Sequence, residues 1–287
     1  MEVRKLEGIL QSEKINTTII VSVYKDVEAL DLIIDSLLHQ THPVDEIIIS
    51  EDGDNEEMKA YATALNNPKI THLSQPDNGW QKNRALNRAL HVSKNDYLIF
   101  IDGDCVPYPT FVESHIALLQ ENAVLCGRRT EPGEKFSKQL RTRKLSIQGF
   151  TIHYLSNYFK LKKDKIRHYD DGIYFHPNSL VLKLIKKFRK KENHIVGCNF
   201  SCWKKDLEKI NGFDEDFTLP TTGEDTDVER RLRHFGVKMN SCRYSANVIH
   251  LYHKKVFNKE ISTQTEALME TKKDIFVCEN GLKKEEI

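Results

Sequence analysis

The chain has 287 residues, 39% of them apolar, enough for the core of one large α/β unit or two modest ones and too many for a small peptide-like module. Lysine and arginine number 43 against 42 aspartates and glutamates, so no global positive field selects nucleic acid, and no such partner is expected. Six scattered cysteines without a Cys-x-x-Cys pair read as reduced thiols, the N-terminus MEVRKLEGILQSEKIN is no signal peptide, and no stretch approaches the roughly 18 apolar residues that span a bilayer; a cytoplasmic location, possible also at the membrane periphery, is expected.

The first half alternates β-rich runs with helical patterns, the signature of a mostly parallel sheet with helices on both faces. Strands are expected at 18–24, 46–50, 69–73 and 97–101. Between the first two, Leu30, Ile33, Ile34, Leu37 and Leu38 recur at helical spacing before His42-Pro43 stops the helix. Further helices are expected at 56–65, 81–92 and 110–119. After Gly127 the pattern weakens into a basic stretch: residues 135–192 hold sixteen Lys/Arg against four Asp/Glu, which leaves the remainder of the chain at a net −11. Within it, Leu180 to Phe188 reads as an amphipathic helix with lysines outward. A helix from Glu224 through Val228, Leu232 and Phe235 stops at Gly236, strands follow at 238–244 and 247–252, and the tail after Lys259 reads as a polar helix. No Pro/Gly/Ser-rich linker divides the chain, which favours one compact unit.

In a parallel α/β sheet ligands gather at the carboxyl ends of strands, and three acidic sites fall there: Asp26, Glu51-Asp52-Gly53-Asp54, and Asp102-Gly103-Asp104. In an extended segment Asp102 and Asp104, two apart, face the same side and can share a hard cation such as Mg²⁺ or Mn²⁺, which substrate phosphates commonly complete. Taken alone, Asp-Gly-Asp is equally an ordinary polar turn. No G-x-G-x-x-G follows the first strand and no P-loop pattern occurs, so a metal must carry the pyrophosphate charge instead of a glycine nest. A zinc site from Cys198, Cys202 and a histidine lacks the usual paired spacing.

With these residues in order, the chain resembles the family 2 glycosyltransferases of the GT-A fold, and its C-terminal third looks like the galactosyltransferase-type acceptor half of β-1,4-galactosyltransferases and chondroitin polymerases. The resemblance runs from about Thr17 to His253 on Val21-Ser-Val-Tyr24-Lys25, Glu51-Asp52-Gly53-Asp54, Lys82-Asn83-Arg84-Ala85, Asp102-Gly103-Asp104, Gly197-Cys-Asn-Phe-Ser201, Asn211-Gly-Phe-Asp214 and Gly223-Glu-Asp-Thr-Asp227. It implies an α/β fold of GT-A type, divided into an N-terminal extension (1–16), a nucleotide-sugar half (17–127), a basic insertion (128–193), an acceptor-binding, catalytic half (194–256) and a helical tail (257–287). It further implies a metal-dependent, inverting hexosyltransferase using a UDP-sugar, with Mn²⁺ or Mg²⁺ as cofactor.

The roles the resemblance carries over suit the residue types. Tyr24 and Asp52 would meet the uracil ring by packing and by accepting its N3–H, with Lys82, Asn83, Arg84 and Asp102 on the remainder of the nucleotide-sugar. Asp104, Asp102 and His250 would hold the cation, His253 being the reserve ligand. Asp225 would be the base and Glu224 would bind the acceptor sugar; a plain capping role at the helix start is the other reading of this acidic pair, and Asp227 is expected to be structural. The Trp-Gly usual before this motif is Thr221-Thr222 here, which removes an aromatic platform. Arg84, Arg128 and Arg129 are candidates for the pyrophosphate, and Trp203 for an acceptor platform or for core.

The expected partners are a nucleotide-sugar donor and a carbohydrate or lipid-linked glycan acceptor, in surface polysaccharide or lipopolysaccharide synthesis. The basic insertion adds contact with an anionic membrane as an expectation, against the plain alternative of a solvated loop. A sugar-1-phosphate nucleotidyltransferase would need a Gly-rich basic loop after the first strand, which Ser22-Val-Tyr-Lys-Asp26 is not. A non-catalytic carbohydrate-binding scaffold is the other alternative, and the joint presence of Asp102, Asp104 and Asp225 speaks against it.

Overall fold

The computed structural model describes residues 15–189, 191–220, 223–254 and 259–283. The extension as far as Lys14, together with Lys190, Thr221-Thr222 and Lys255, lies outside the described residues. In chain order the elements are β1 (Thr17–Val23), α1 (Val27–Leu38), β2 (Glu46–Glu51), α2 (Glu56–Leu65), β3 (Ile70–Leu73), α3 (Lys82–Val92), β4 (Tyr97–Asp102), β5 (Cys105–Pro107), α4 (Phe111–Leu118), β6 (Ala123–Cys126) and β7 (Arg128–Thr130). The basic region then forms α5 (Glu134–Arg141), α6 (Ile147–Ile152), α7 (Tyr158–Lys163) and α8 (Leu180–Phe188). The chain continues as β8 (Asn199–Trp203), α9 (Lys204–Lys209), α10 (Gly223–His234), β9 (Lys238–Ser241), β10 (Asn247–His250) and α11 (Lys259–Thr271).

Seven strands form the central sheet in the order β3-β2-β1-β4-β8-β6-β9. β3, β2, β1 and β4 are mutually parallel; β8 runs against both β4 and β6, and β9 lies parallel to β6. The carboxyl ends of β1, β4, β6 and β9 therefore share one edge. Side-chain alternation sorts the sheet's residues between two cores. Ile19, Val21, Ile47, Ile49, Ile99 and Ile101 pack with α1 on one face, whereas Ile20, Ile48, Leu98 and Phe100 pack with α3 and α10 on the other. Both faces are covered, so the parallel strands read as unbroken apolar runs. The fold is the expected α/β arrangement of GT-A type, with a mostly parallel central sheet.

Local chemistry fixes the helix starts. Asp26 caps α1 by accepting from Ala29 N–H at 3.0 Å, and Asn55 caps α2 through Met58 N–H at 2.9 Å. The last two strands are shorter than the sequence pattern suggests. β9 ends at Ser241 because Cys242–Ser245 turns back on itself with Tyr244 at φ 68°, and β10 ends at His250, beyond which Leu251 N–H makes one more bond in register with β5, to Asp104 C=O. β10 forms a second, three-stranded sheet between β5 and β7.

Asp227 is structural, as expected. Its carboxylate accepts from Arg231 Nε at 2.7 Å, and the guanidinium, 1% exposed, also donates to Ile210 C=O and Gly212 C=O. Helix α10 is thus bolted to the turn after α9. Removing one partner of a buried pair leaves an uncompensated charge, so Arg231→Ala is expected to destabilise the fold by about 3–5 kcal/mol in urea unfolding; a loss within about 0.5 kcal/mol, the scale of a plain surface change, would contradict this.

Candidate active site

The shared carboxyl edge gathers the acidic motifs around one buried cation. Lys82, at the start of α3, donates to Asp102 Oδ1 at 2.8 Å and stands 3.6 Å from Glu224 Oε1 at the start of α10. Burial works against its charge, but Asp102, Glu224 and Asp225 together hold the ammonium well above its usual range. Burial pushes the Glu224 carboxyl up to about 7, Lys82 pulling the other way and Asp225 reinforcing the rise. Its Oε2 is buried and among the described residues has no hydrogen-bond partner, so this oxygen can accept from an incoming hydroxyl. Asp225 is also raised by burial, opposed by the N–H of Gly197, which reaches its Oδ2 at 3.0 Å.

Asp104 faces elsewhere. The strand ends at Asp102, and Gly103-Asp104 is a turn, so the alternation expected to align the two aspartates is lost. Gly103 N–H bonds Ser22 C=O at 2.6 Å, and a Cβ at Gly103 would lie 2.9 Å from that oxygen, so only glycine lets the turn pack this closely. The turn brings Asp104 Oδ2 to 3.2 Å from His250 Nε2 and 3.3 Å from His253 Nε2. His250 is placed by its register opposite Cys105 in the second sheet. Burial raises the Asp104 carboxyl, but His253, His250 and the Cys105 thiol outweigh it and hold the group below the usual carboxylate range.

Asp104, His250 and His253 can place one ligand atom each within 4.8 Å of one another, and among the described residues no other group of three or more His, Cys, Asp or Glu does so. One carboxylate and two imidazoles suit a borderline divalent cation such as Mn²⁺, with positions left over for substrate oxygens. Both histidines join the group, and Asp102 is outside it, committed to Lys82. Cys198 and Cys202 form no metal group and all six cysteines are free. Beside His250 and His253 a cleft of about 440 Å³ opens, its rim carrying Lys163, Lys165, Arg167 and Lys254 among the acids Glu131, Glu134 and Asp164.

On the other side of the edge, the Tyr24 ring, half exposed, lies over Gly53, where a Cβ would be 3.7 Å from it. Lys25, in the left-handed region at φ 56°, turns the chain there and pairs with Asp77 at 2.7 Å. Asp52 is buried beneath and accepts from Gln75 Nε2 at 2.9 Å and Gln81 N–H at 2.8 Å, fixing the 74–81 loop. Each carboxylate oxygen keeps accepting capacity for a further donor.

Several sequence candidates do not join. Asn83 is turned inward, its Nδ2 donating to Asp214 C=O at 2.7 Å, and Arg84 is exposed with only a 3.4 Å contact to Gln81. Arg128 spends its guanidinium on the carbonyls of Gly127 and His194, and Arg129 on Glu131 and the Cys198 thiol. Trp203 pairs in register with Tyr97 at the far end of β4, donating to Gln120 C=O, so it is no acceptor platform. Gln75, which positions Asp52, went unnoticed in the sequence because an isolated loop glutamine carries no pattern.

The chain is similar in sequence and in fold to known proteins. The profile of glycosyl transferase family 2 matches residues 18–189, and that of the N-terminal domain of galactosyltransferase matches residues 181–254. A hyaluronan synthase of Pasteurella multocida is 28% identical over 90% of this chain, and a chondroitin synthase of Escherichia coli 26% over 87%. The chain spans only 26% and 36% of their respective lengths. In fold it is similar to GalNAc-T7 bound to UDP, GalNAc and Mn²⁺, with a TM-score of 0.58 at 13% identity over 85% of this chain and 45% of that one.

If the three donors hold the cation, Asp104→Ala, His250→Ala and His253→Ala should each weaken Mn²⁺ binding by at least about 10- to 100-fold, the range lost even for residues that merely orient a ligand. Calorimetric titration checks this. Unchanged affinity in the His253 variant alone would remove that residue from the set.

Proposed function

This chain belongs to glycosyl transferase family 2, and we propose that it moves a hexose or N-acetylhexosamine from a UDP-sugar to a carbohydrate hydroxyl with inversion. The observation that carries the reading is the cluster of Asp102, Glu224 and Asp225 about Lys82, on the same sheet edge as Asp104, His250 and His253. The chain is a glycosyltransferase, and GalNAc-T7, similar in fold, binds UDP and Mn²⁺. The similarity to a hyaluronan synthase and a chondroitin synthase supports a glycan, free or lipid-linked, as acceptor, in surface polysaccharide or lipopolysaccharide synthesis as part of the proposal. Among the described residues no helix is long and apolar enough to cross a membrane, and work on the cytoplasmic side against a membrane surface is part of the proposal.

The uracil packs on Tyr24 and donates its N3–H to Asp52, with the sugar directed toward Lys82 and Asp102. Asp104, His250 and His253 would hold the divalent cation, which would supply neutralising charge to the leaving diphosphate. Lysines at the cleft rim add positive charge to the same end. Asp225, its Oδ2 fixed by Gly197 N–H, takes the proton of the acceptor hydroxyl as that oxygen bonds to the anomeric carbon and the bond to UDP breaks. Glu224 Oε2 accepts from a neighbouring acceptor hydroxyl and orients it. Asn83 stays in its structural place, holding α3 against Asp214.

The deciding experiment measures UDP release and product stereochemistry across UDP-Gal, UDP-Glc, UDP-GalNAc and UDP-GlcNAc, with Mn²⁺ present and then chelated. Turnover with a retained anomer, or turnover indifferent to chelation, would overturn the mechanism. Asp225→Asn should keep donor binding and lower kcat by a factor of about 10²–10⁴, the contribution of a positioned base.

The elevated Glu224 carboxyl adds a pH signature. Below about 7 it is mainly protonated and above it mainly ionised, so kcat/KM should climb as pH rises through this value. Glu224→Gln should be slower at every pH and lose that limb. A limb that persists in the variant would assign it to another group.

A further inference from the structure

Helix α8 has two apolar faces, and among the described residues one of them covers nothing. Leu182 is buried against the protein, and Arg189 just beyond the helix donates to Ser241 Oγ and Asn193 Oδ1, each at 3.0 Å. On the outer side Leu180, Val181, Leu184 and Phe188 are exposed, Leu180 by 76% and Phe188 by 74%. At 100° per residue Leu180, Leu184, Phe188 and Val181 fall within an arc of about 100°, and Lys187 and Lys183 border it along one edge, both exposed. From Leu180 to Lys191 the sequence carries six lysines and arginines and no acid.

We infer that this face of α8 docks the protein on an anionic lipid surface. A stripe of large apolar side chains bordered by lysines is the pattern of a helix lying in the membrane interface, its apolar residues among the acyl chains and its cations at the headgroups. Nine residues make a helix of about 14 Å, which lies on a bilayer and cannot cross it. A second copy is a poor occupant, because a two-fold contact through this face would set lysines against lysines. Lipid headgroups are mobile and match whatever spacing the lysines have.

The location gives the contact a purpose. Ser241, which anchors Arg189, ends β9, and β9 points the same way as β1 and β4, so α8 hangs at the carboxyl edge that carries Asp102, Asp104 and Glu224. Docking there brings the catalytic edge to the lipid surface, where a lipid-linked glycan presents its hydroxyl. This orientation rests on the transferase reading; the lipid contact itself does not.

The test is co-sedimentation of the full chain with vesicles of phosphatidylcholine, with and without phosphatidylglycerol, at low and high salt, without donor or acceptor. Binding should need the anionic lipid and fall with salt. It should drop at least about tenfold in Lys183→Glu/Lys187→Glu/Lys191→Glu and also in Leu184→Ser/Phe188→Ser. Ile152→Ser/Phe159→Ser, on an exposed apolar patch of α6 and α7, should bind as the parent does. Thermal melting and UDP release with a soluble saccharide acceptor should be unchanged in all three, which separates a failure of docking from a failure of the transferase reading. Equal binding to neutral vesicles, no binding to either, or loss through the α6 and α7 variant alone overturns the proposal. So does self-association that the α8 variants abolish while vesicles stay unbound.

Discussion

The ammonium of Lys82 is the interaction on which the site depends. It lies buried between Asp102, at the end of β4, and Glu224, at the start of α10, so one charge ties α3 and the central sheet to α10. Removing three carboxylates from water beside one another is costly, and the positive charge among them is what makes the grouping tolerable. The dependence is mutual, because a lysine this buried would otherwise shed its proton. Helix α3, which delivers Lys82, is fixed from below by Asn83 and Asn87, whose side chains donate to the carbonyls of Asp214 and Phe213. The placement of the cation is therefore a property of how α3 packs rather than of a loop.

The candidate metal-ligand group of Asp104, His250 and His253 has a separate origin. It exists because the chain leaves the main sheet at Gly103 and enters a second one, where β10 runs beside β5 and sets His250 opposite Cys105. A seam between two sheets holds Asp104 and His250 at fixed distance, while His253 arrives from the segment beyond β10. Two rigid contributions and one from a connecting segment make a site that keeps its shape and still leaves a side open to substrate.

This split explains what the sequence disclosed. The first four strands and three helices were readable because unbroken Val/Ile runs alternate with 3.6-residue periodicity, and the acidic motifs sit directly after those strands. β8 was not readable: Asn199-Phe-Ser-Cys-Trp203 has no long apolar run, and its place between β4 and β6 is set by antiparallel pairing with distant partners. The spacing of Asp102 and Asp104 suggested a shared ligand, which holds only while the backbone stays extended; the turn at Gly103 sends them apart. Asn83 and Arg84 sit in a motif that resembles a nucleotide contact, yet on α3 their side chains emerge at angles that serve the interior and the solvent. His253 stood in reserve because sequence alone does not tell which of two nearby histidines the chain folds back.

The distribution of charge has a consistent logic. At the carboxyl edge Lys82 is already engaged by Asp102 and Glu224, and the cations around the cleft beside His250 and His253 are interspersed with Glu131, Glu134 and Asp164. A diphosphate arriving there meets carboxylates as well as lysines, which is why a divalent cation at Asp104, His250 and His253 suits the site. Residues 135–192 hold sixteen lysines and arginines against four acids; Lys163, Lys165 and Arg167 among them line the cleft beside His250 and His253, whereas the lysines of α8 do not. The positive charge of α8 is therefore free to act on a different anion at the surface.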